Sequence, residues 1–203
     1  RLIMQNFYSP LKKLDPYLEF TFITGITKFS QLSIFSELNN LDNISMFDQY
    51  SAICGISKTE LTTQMKPDVE ALGEALGMTY EECLAELTRF YDGYHFSKKS
   101  EDVFNPFSLV KALNARKIAP YWFTDLYIHK TVNEYLCNFD VAKDYNIGDL
   151  PEIPFGEADI VPFIFQFGIL SIKKYNPVIG VYTIGVPNDD IRKGIPYSIF
   201  SRR

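Results

Sequence analysis

The sequence is poor in the residues that build metal sites and disulfide frameworks. Its 203 residues include 3 Cys, at positions 54, 83 and 137, and 2 His, His95 and His129. An odd cysteine count without a C-x-x-C pair argues against a disulfide scaffold and a zinc site, and for a reducing cytoplasm. Phosphate cradles are missing as well: none of the 11 Gly is followed by Lys, so there is no G-x-x-x-x-G-K-[ST] loop, and G-x-G-x-x-G is absent too. No [DE]-x-K triplet is present to hold a nuclease metal beside a supporting lysine, and no G-x-S-x-G advertises a serine nucleophile. Apolar runs are only a few residues long, far short of the roughly 20 that span a membrane. The opening RLIMQNFYSPLKK has no apolar signal-peptide centre, and with Arg rather than Met at position 1 the chain reads as a piece of something longer.

What is present is an ordinary globular composition, 46% hydrophobic and 22% charged, enough to bury a core. Lys and Arg total 20 against 25 Asp and Glu, for a net charge of -5. The basic residues form isolated pairs (Lys12-Lys13, Lys98-Lys99, Lys173-Lys174, Arg202-Arg203) and no stripe, which excludes direct nucleic-acid binding by this stretch. Aromatics reach 15%, with 17 Phe and 13 Tyr, more than an aliphatic-packed core of this size needs. Part of that surface is expected to meet a partner or another part of a parent chain.

Along the chain, LEFTFITGI at 18–26 predicts a buried strand turning at Gly25. SQLSIFSELNNL predicts a short helix capped by Ser30 and stopped at Asn39-Asn40. Ser57-Lys58-Thr59-Glu60 and Thr79-Tyr80-Glu81-Glu82 are capping boxes. With Pro67 in a first turn and Gly77 between, they predict a helical hairpin over 57–91, Leu84, Leu87 and Tyr91 following at helical spacing. Asp92-Gly93 breaks its second helix, and Asn105-Pro106 starts another, with Phe107, Val110, Leu113 and Asn114 as its stripe. After the Gly and Pro residues of 148–156, FIFQFGILSIKKY and VIGVYTIGV read as two strands joined by Asn176-Pro177, making the last fifth β-rich. The expected class is α+β, mostly α-helical: one buried strand, a helical middle and a small C-terminal β-containing subdomain. His95 invites a general-base reading, but between Tyr94 and Phe96 a packed or hydrogen-bonded side chain is the plainer one.

Three strings are more specific than composition: FITGITKFSQLSIFSELNNLDNIS at 22–45, RFYDGYHF at 89–96 and VFNPFSLVKALN at 103–114. Together they resemble the later part of the predicted AAA-ATPase-like proteins of gut anaerobes, in which a P-loop ATPase module precedes a nuclease-like domain of the PD-(D/E)XK superfamily. FQFGILSIKKY and YTIGVPNDDIRKG resemble the connector between those modules. The resemblance implies three regions: 1–48 as the C-terminal part of an ATPase-like core, 49–147 as a helical lid, and 148–203 as a connector towards the nuclease-like domain. It departs at 124–130, where Thr124-Asp125-Leu126-Tyr127 follows Tyr121-Trp122-Phe123 in place of a Gly-Thr-Pro run.

The resemblance further implies that Thr24, Lys28 and Ser30 lie where a sensor strand ends facing the γ-phosphate, with Gly25, Phe29, Asn39 and Asn40 as neighbouring motif residues. The alternative for Thr24 is a strand end, and for Lys28 a solvated turn. Asp92, Gly93, Tyr94, Asn105 and Pro106 would fix how the lid helices dock, and an Asx-Gly turn plus an Asn cap account for them structurally. No cofactor is expected in this stretch; ATP and Mg would belong to the parent, with the P-loop half and the nuclease-like domain as intramolecular partners. Two rival readings stand beside this one, a non-catalytic protein-interaction module and a regulatory arm of the nuclease-like domain. The strand at 20–24, with Phe20 and Phe22 on one buried face, is expected to need covering, with a homodimer as the leading candidate.

Overall fold

The computed structural model describes residues 10–24, 41–99, 101–123, 144–148 and 161–200, with the backbone alone for 162, 163 and 196–200. The architecture is α+β: helices accompany a small three-stranded antiparallel sheet. No described helix is long and apolar enough to cross a membrane.

Two hydrophobic cores organise the described residues. The first is helical. Helix α1 (Lys58–Thr63) starts at a complete capping box: Ser57 Oγ accepts from Glu60 N, and Glu60 Oε2 accepts from Ser57 N at 2.8 Å. Helix α2 (Lys66–Leu76) carries Pro67 in its first turn and ends at Gly77, whose φ of 68° is left-handed and suits a residue without a Cβ. Helix α3 (Tyr80–Tyr91) begins at the second box, Thr79 with Glu82. Asn105 caps helix α4 (Pro106–Ala115) by accepting from Ser108 N at 3.2 Å. Leu61, Val69, Leu72, Cys83, Leu87, Tyr91, Phe104, Leu109 and Leu113 fill the space between these helices. Two isolated antiparallel bridges, Ile56 with Phe104 and Tyr94 with Val103, clasp the entry to α4.

The second core lies under the sheet. Strand order is β1 (Tyr145–Ile147), β3 (Val181–Gly185), β2 (Ser171–Asn176), with Tyr145 opposite Ile184 on one side of β3 and Asn176 opposite Val181 on the other. The pairing slips between Ile172 and Lys174, leaving Lys173 as the extra residue; such a bulge re-aims its side chain. Helix α5 (Val161–Gln166) precedes β2, and helix α6 (Asp189–Phe200) follows β3. Phe123, Ile164, Ile169, Leu170, Ile172, Ile184, Ile191 and Ile195 pack together here.

Several expectations are corrected. Residues 18–24 form no strand, and Phe20 and Phe22 are 80% and 44% exposed, their rings stacked on each other at 6.4 Å. β propensity is realised only where a neighbour supplies the ladder, and no described strand lies alongside. Phe163–Gln166 is helical, because a short apolar run does not tell a strand from a buried helix by periodicity. The last fifth therefore holds two helices as well as two strands. In α4 the buried face is Ser108, Leu109, Ala112 and Leu113, while Phe107 and Val110 point outward, so the expected stripe was rotated. The short helix expected from Ser30 lies outside the described residues, as do Gly25, Lys28, Phe29, Asn39 and Asn40.

Candidate functional site

The two cores meet along a seam that gathers most of the buried polar side chains. On the helical side, Asp92 stops α3 and the chain turns through Gly93, whose φ is 90°. Asp92 Oδ1 accepts from the adjacent Gly93 N–H at 2.8 Å. A Cβ on Gly93 would lie 2.6 Å from the Pro187 carbonyl oxygen, so the two backbones approach as closely as a glycine permits.

From this turn, bonds fan out to the C-terminal unit. Asn188 Nδ2 donates to the Asp92 carbonyl at 2.7 Å, while its Oδ1 accepts from Ile191 N and caps α6. The Tyr94 hydroxyl donates to the Gly168 carbonyl at 3.1 Å, and His95 N donates to Ser171 Oγ at 2.7 Å. On the outer rim, Arg89 pairs with Asp189 as well as with Glu86.

Asp190 sits at the centre of the seam. It is 0% exposed, and its Oδ1 accepts from the N–H groups of Tyr121 and Trp122 at 2.6 and 3.1 Å. Those adjacent residues face different cores, Tyr121 the helical one and Trp122 the one beneath the sheet. Among the described residues Asp190 Oδ2 has no hydrogen-bond partner, and neither have the Ser108 hydroxyl and Trp122 Nε1. Burial pushes the Asp190 carboxyl up, with Ser108 and the two amides pulling the other way. Burial likewise raises the Tyr91 and Tyr94 hydroxyls, with Asp190 adding to both, so both stay neutral donors.

An edge of charged groups flanks the turn. His95 Nδ1 pairs with Asp102 Oδ1 at 2.9 Å. Lys173, delivered by its bulge, donates from Nζ to the Pro187 carbonyl at 3.2 Å. Its ammonium is pulled down by burial and partly restored by Asp102, Asp144 and Asp92. Burial raises the Asp92 carboxyl, opposed by its bond to Gly93 N and reinforced by the charge of Asp102.

Of the residues singled out from sequence, Asp92, Gly93, Tyr94 and Asn105 come together at the seam, with Pro106 opening the helix that Asn105 caps. Thr24 is exposed, and the structure gives it no bond to them. Lys28, Ser30 and residues 124–130 lie outside the described set. Sequence reasoning missed Asn188, Asp190, Gly168, Ser171 and Lys173. A signal for the first two was present: Asn188 followed by Asp189 and Asp190 is an N-cap with acidic residues in the first turn. Nothing local marks Gly168 or Ser171 as partners of residues 74 and 76 positions away.

No family model matches the chain, and no solved structure matches it. It is similar to "Uncharacterized protein in vnfD 5'region" of Azotobacter chroococcum mcd 1, 28% identical over 206 aligned residues. That alignment takes in 98% of this chain and 38% of the relative, so the chain spans well under half of that protein's length.

Proposed function

We propose that this chain is the helical lid and connector of an AAA-ATPase-like protein, passing movement between a nucleotide-binding half and a nuclease-like domain and doing no chemistry of its own. One observation carries the reading. The strings RFYDGYHF, FQFGILSIKKY and YTIGVPNDDIRKG, spread over more than 100 residues, converge on a single seam through Arg89–Asp189, Asp92–Asn188, Tyr94–Gly168 and His95–Ser171, and VFNPFSLVKALN is tied to the first of them by the Tyr94–Val103 bridge and the bond from Asn105 N to the Tyr91 carbonyl. Lid and connector joined this way move as one piece, as a mechanical relay requires.

ATP and Mg belong to the P-loop half in this reading. No glycine in the chain is followed by lysine, so it carries no P-loop of its own. Thr24, Lys28 and Ser30 are the residues assigned to sensing the γ-phosphate. Because 20–24 forms no strand in this chain, that assignment requires the strand to form against the P-loop half.

The apolar outer face of α4, with Phe107 44% and Val110 39% exposed around Lys111 and Asn114, favours a second reading, a non-catalytic protein-interaction module. The full-length protein decides. In the relay reading it binds and hydrolyses Mg-ATP, and Asn188→Ala leaves ATP affinity intact while lowering hydrolysis. A full-length protein without nucleotide affinity ends the relay reading in favour of the second; a variant that hydrolyses at the normal rate removes the seam from the mechanism.

A further inference from the structure

We propose that Asp190 is a proton-operated latch: as a neutral acid it closes the seam between the helical body and the C-terminal unit, and on giving its proton to solvent it loosens the linker at Tyr121 and Trp122. The latch is independent of what the enclosing protein does.

The geometry carries this. A carboxylate taken wholly out of water is expensive unless a cation or a full set of donors replaces the lost hydration. Asp190 has neither. It has no ion pair among the described residues, although the residue before it, Asp189, is paired with Arg89, Arg192 and Lys193. Two backbone amides donate to it, both on Oδ1, while Oδ2 is buried with the Ser108 hydroxyl beside it, close enough to favour the ionised form but outside hydrogen-bond geometry. A neutral acid fits this surround better than an anion, because Oδ1 keeps both amide bonds and Oδ2 loses its uncompensated charge.

The groups facing Asp190 reinforce the choice. From α3 comes the Tyr91 hydroxyl, from the turn after it Tyr94, and from the linker Tyr121; each is pushed up by burial first and by the Asp190 charge in addition, with Lys111 of α4 pulling Tyr121 the other way. From α4 comes Ser108, a hydroxyl without charge. Along α6, Arg192 and Lys193 turn towards Asp189. Among the described residues no cation pairs with Asp190.

Position turns protonation into a latch. Tyr121 packs against the helical core and Trp122 against the core under the sheet, and both amides end on one oxygen of α6. Repulsion of a charged Asp190 from its cavity therefore acts on both cores through the two residues that join them.

The direction follows from linkage. A carboxyl raised above its unfolded value contributes stability that is present at acidic pH and lost as pH rises through the folded value. Amide exchange in the whole protein, corrected for intrinsic base catalysis, reads this at Tyr121 and Trp122. Protection is expected to fall as pH rises from the ordinary carboxylate range through the raised value of Asp190. With Asp190→Asn, which keeps an oxygen for the two amides and cannot ionise, protection is expected to stay flat. Ser108→Ala removes a neighbour that favours the ionised form and is expected to move the transition to higher pH, which keeps the test decisive if Asp190→Asn does not fold. Wild-type protection that is constant or rises with pH, an Asp190→Asn profile parallel to the wild type, or an unmoved Ser108→Ala transition overturns the latch.

Discussion

The Tyr94 hydroxyl and the Gly168 carbonyl, 74 positions apart in sequence, meet at 3.1 Å, so a turn in the helical half is bonded directly to the entrance of the sheet. Tyr94 is buried, with Asn105 and Asn188 beside it. Water does not readily replace a donor lost at such a place.

Tyr94→Phe keeps the ring and removes that donor. The expected loss is about 1–2 kcal/mol, read from urea denaturation, with helix content unchanged. A midpoint equal to the wild type would show that the bond contributes nothing net.

Gly93→Ala tests the closest backbone approach of the seam. Alanine at φ 90° is strained, and its Cβ would meet the Pro187 carbonyl oxygen at 2.6 Å, where backbone must give way. A loss above about 2 kcal/mol is expected in thermal or chemical unfolding. A change of a few tenths would mean the seam can part locally without penalty.

Gly194→Ala reverses a usual rule. In the middle of a helix this exchange ordinarily stabilises by up to about 1 kcal/mol. Gly194 lies inside α6, where an added Cβ would come 2.5 Å from Cδ2 of the buried Phe123 ring. A net loss is expected, and a raised melting temperature would count against the packing of α6 on Phe123.

The capping boxes make α1 and α3 sensitive to acid. Glu60 and Glu82 sit below the ordinary glutamate range because each carboxylate accepts from the backbone N–H and hydroxyl of its own cap residue. A depressed carboxylate contributes stability that is present above its unfolded value and lost as pH falls through the folded one. Helicity should therefore fray on strong acidification, opposite in sign to Asp190, and Glu82→Gln should blunt that response. Thr79→Ala removes the partner hydroxyl and is expected to lose about 1 kcal/mol at neutral pH. Far-ultraviolet dichroism against pH checks both; a Glu82→Gln curve that overlays the wild type excludes the box as the acid-labile element.

Legibility in the sequence followed the range of the interactions. Ser57 with Glu60, Thr79 with Glu82, Gly77 and Asn105-Pro106 act within a few residues, so their chemistry could be read from spacing alone and the helices stand where those residues put them. The run at 163–166 could not be decided, because its apolar residues suit a buried helix and a buried strand equally. Residues 20–24 failed for another reason: a strand needs a neighbour, and propensity names none. Half of the seam was legible as well. Asp92, Gly93, Tyr94 and Asn105 announce a turn and a cap, whereas the use of that turn depends on Gly168, Ser171, Asn188 and Asp190, which reach it only through the folded chain.

The placement of Asp190 also sets an order of assembly. The hairpin of α2 and α3 closes through contacts between neighbours in sequence, whereas the amides of Tyr121 and Trp122 wait for an acceptor 69 and 68 positions further on. At the pace of a ribosome that interval lasts on the order of 3–14 s. A nascent chain thus passes through a stage in which its helical half has formed around a tail still without a binding place. Truncation anywhere before α6 would leave the molecule at that stage for good, exposed to the chaperones and proteases that recognise unfinished chains.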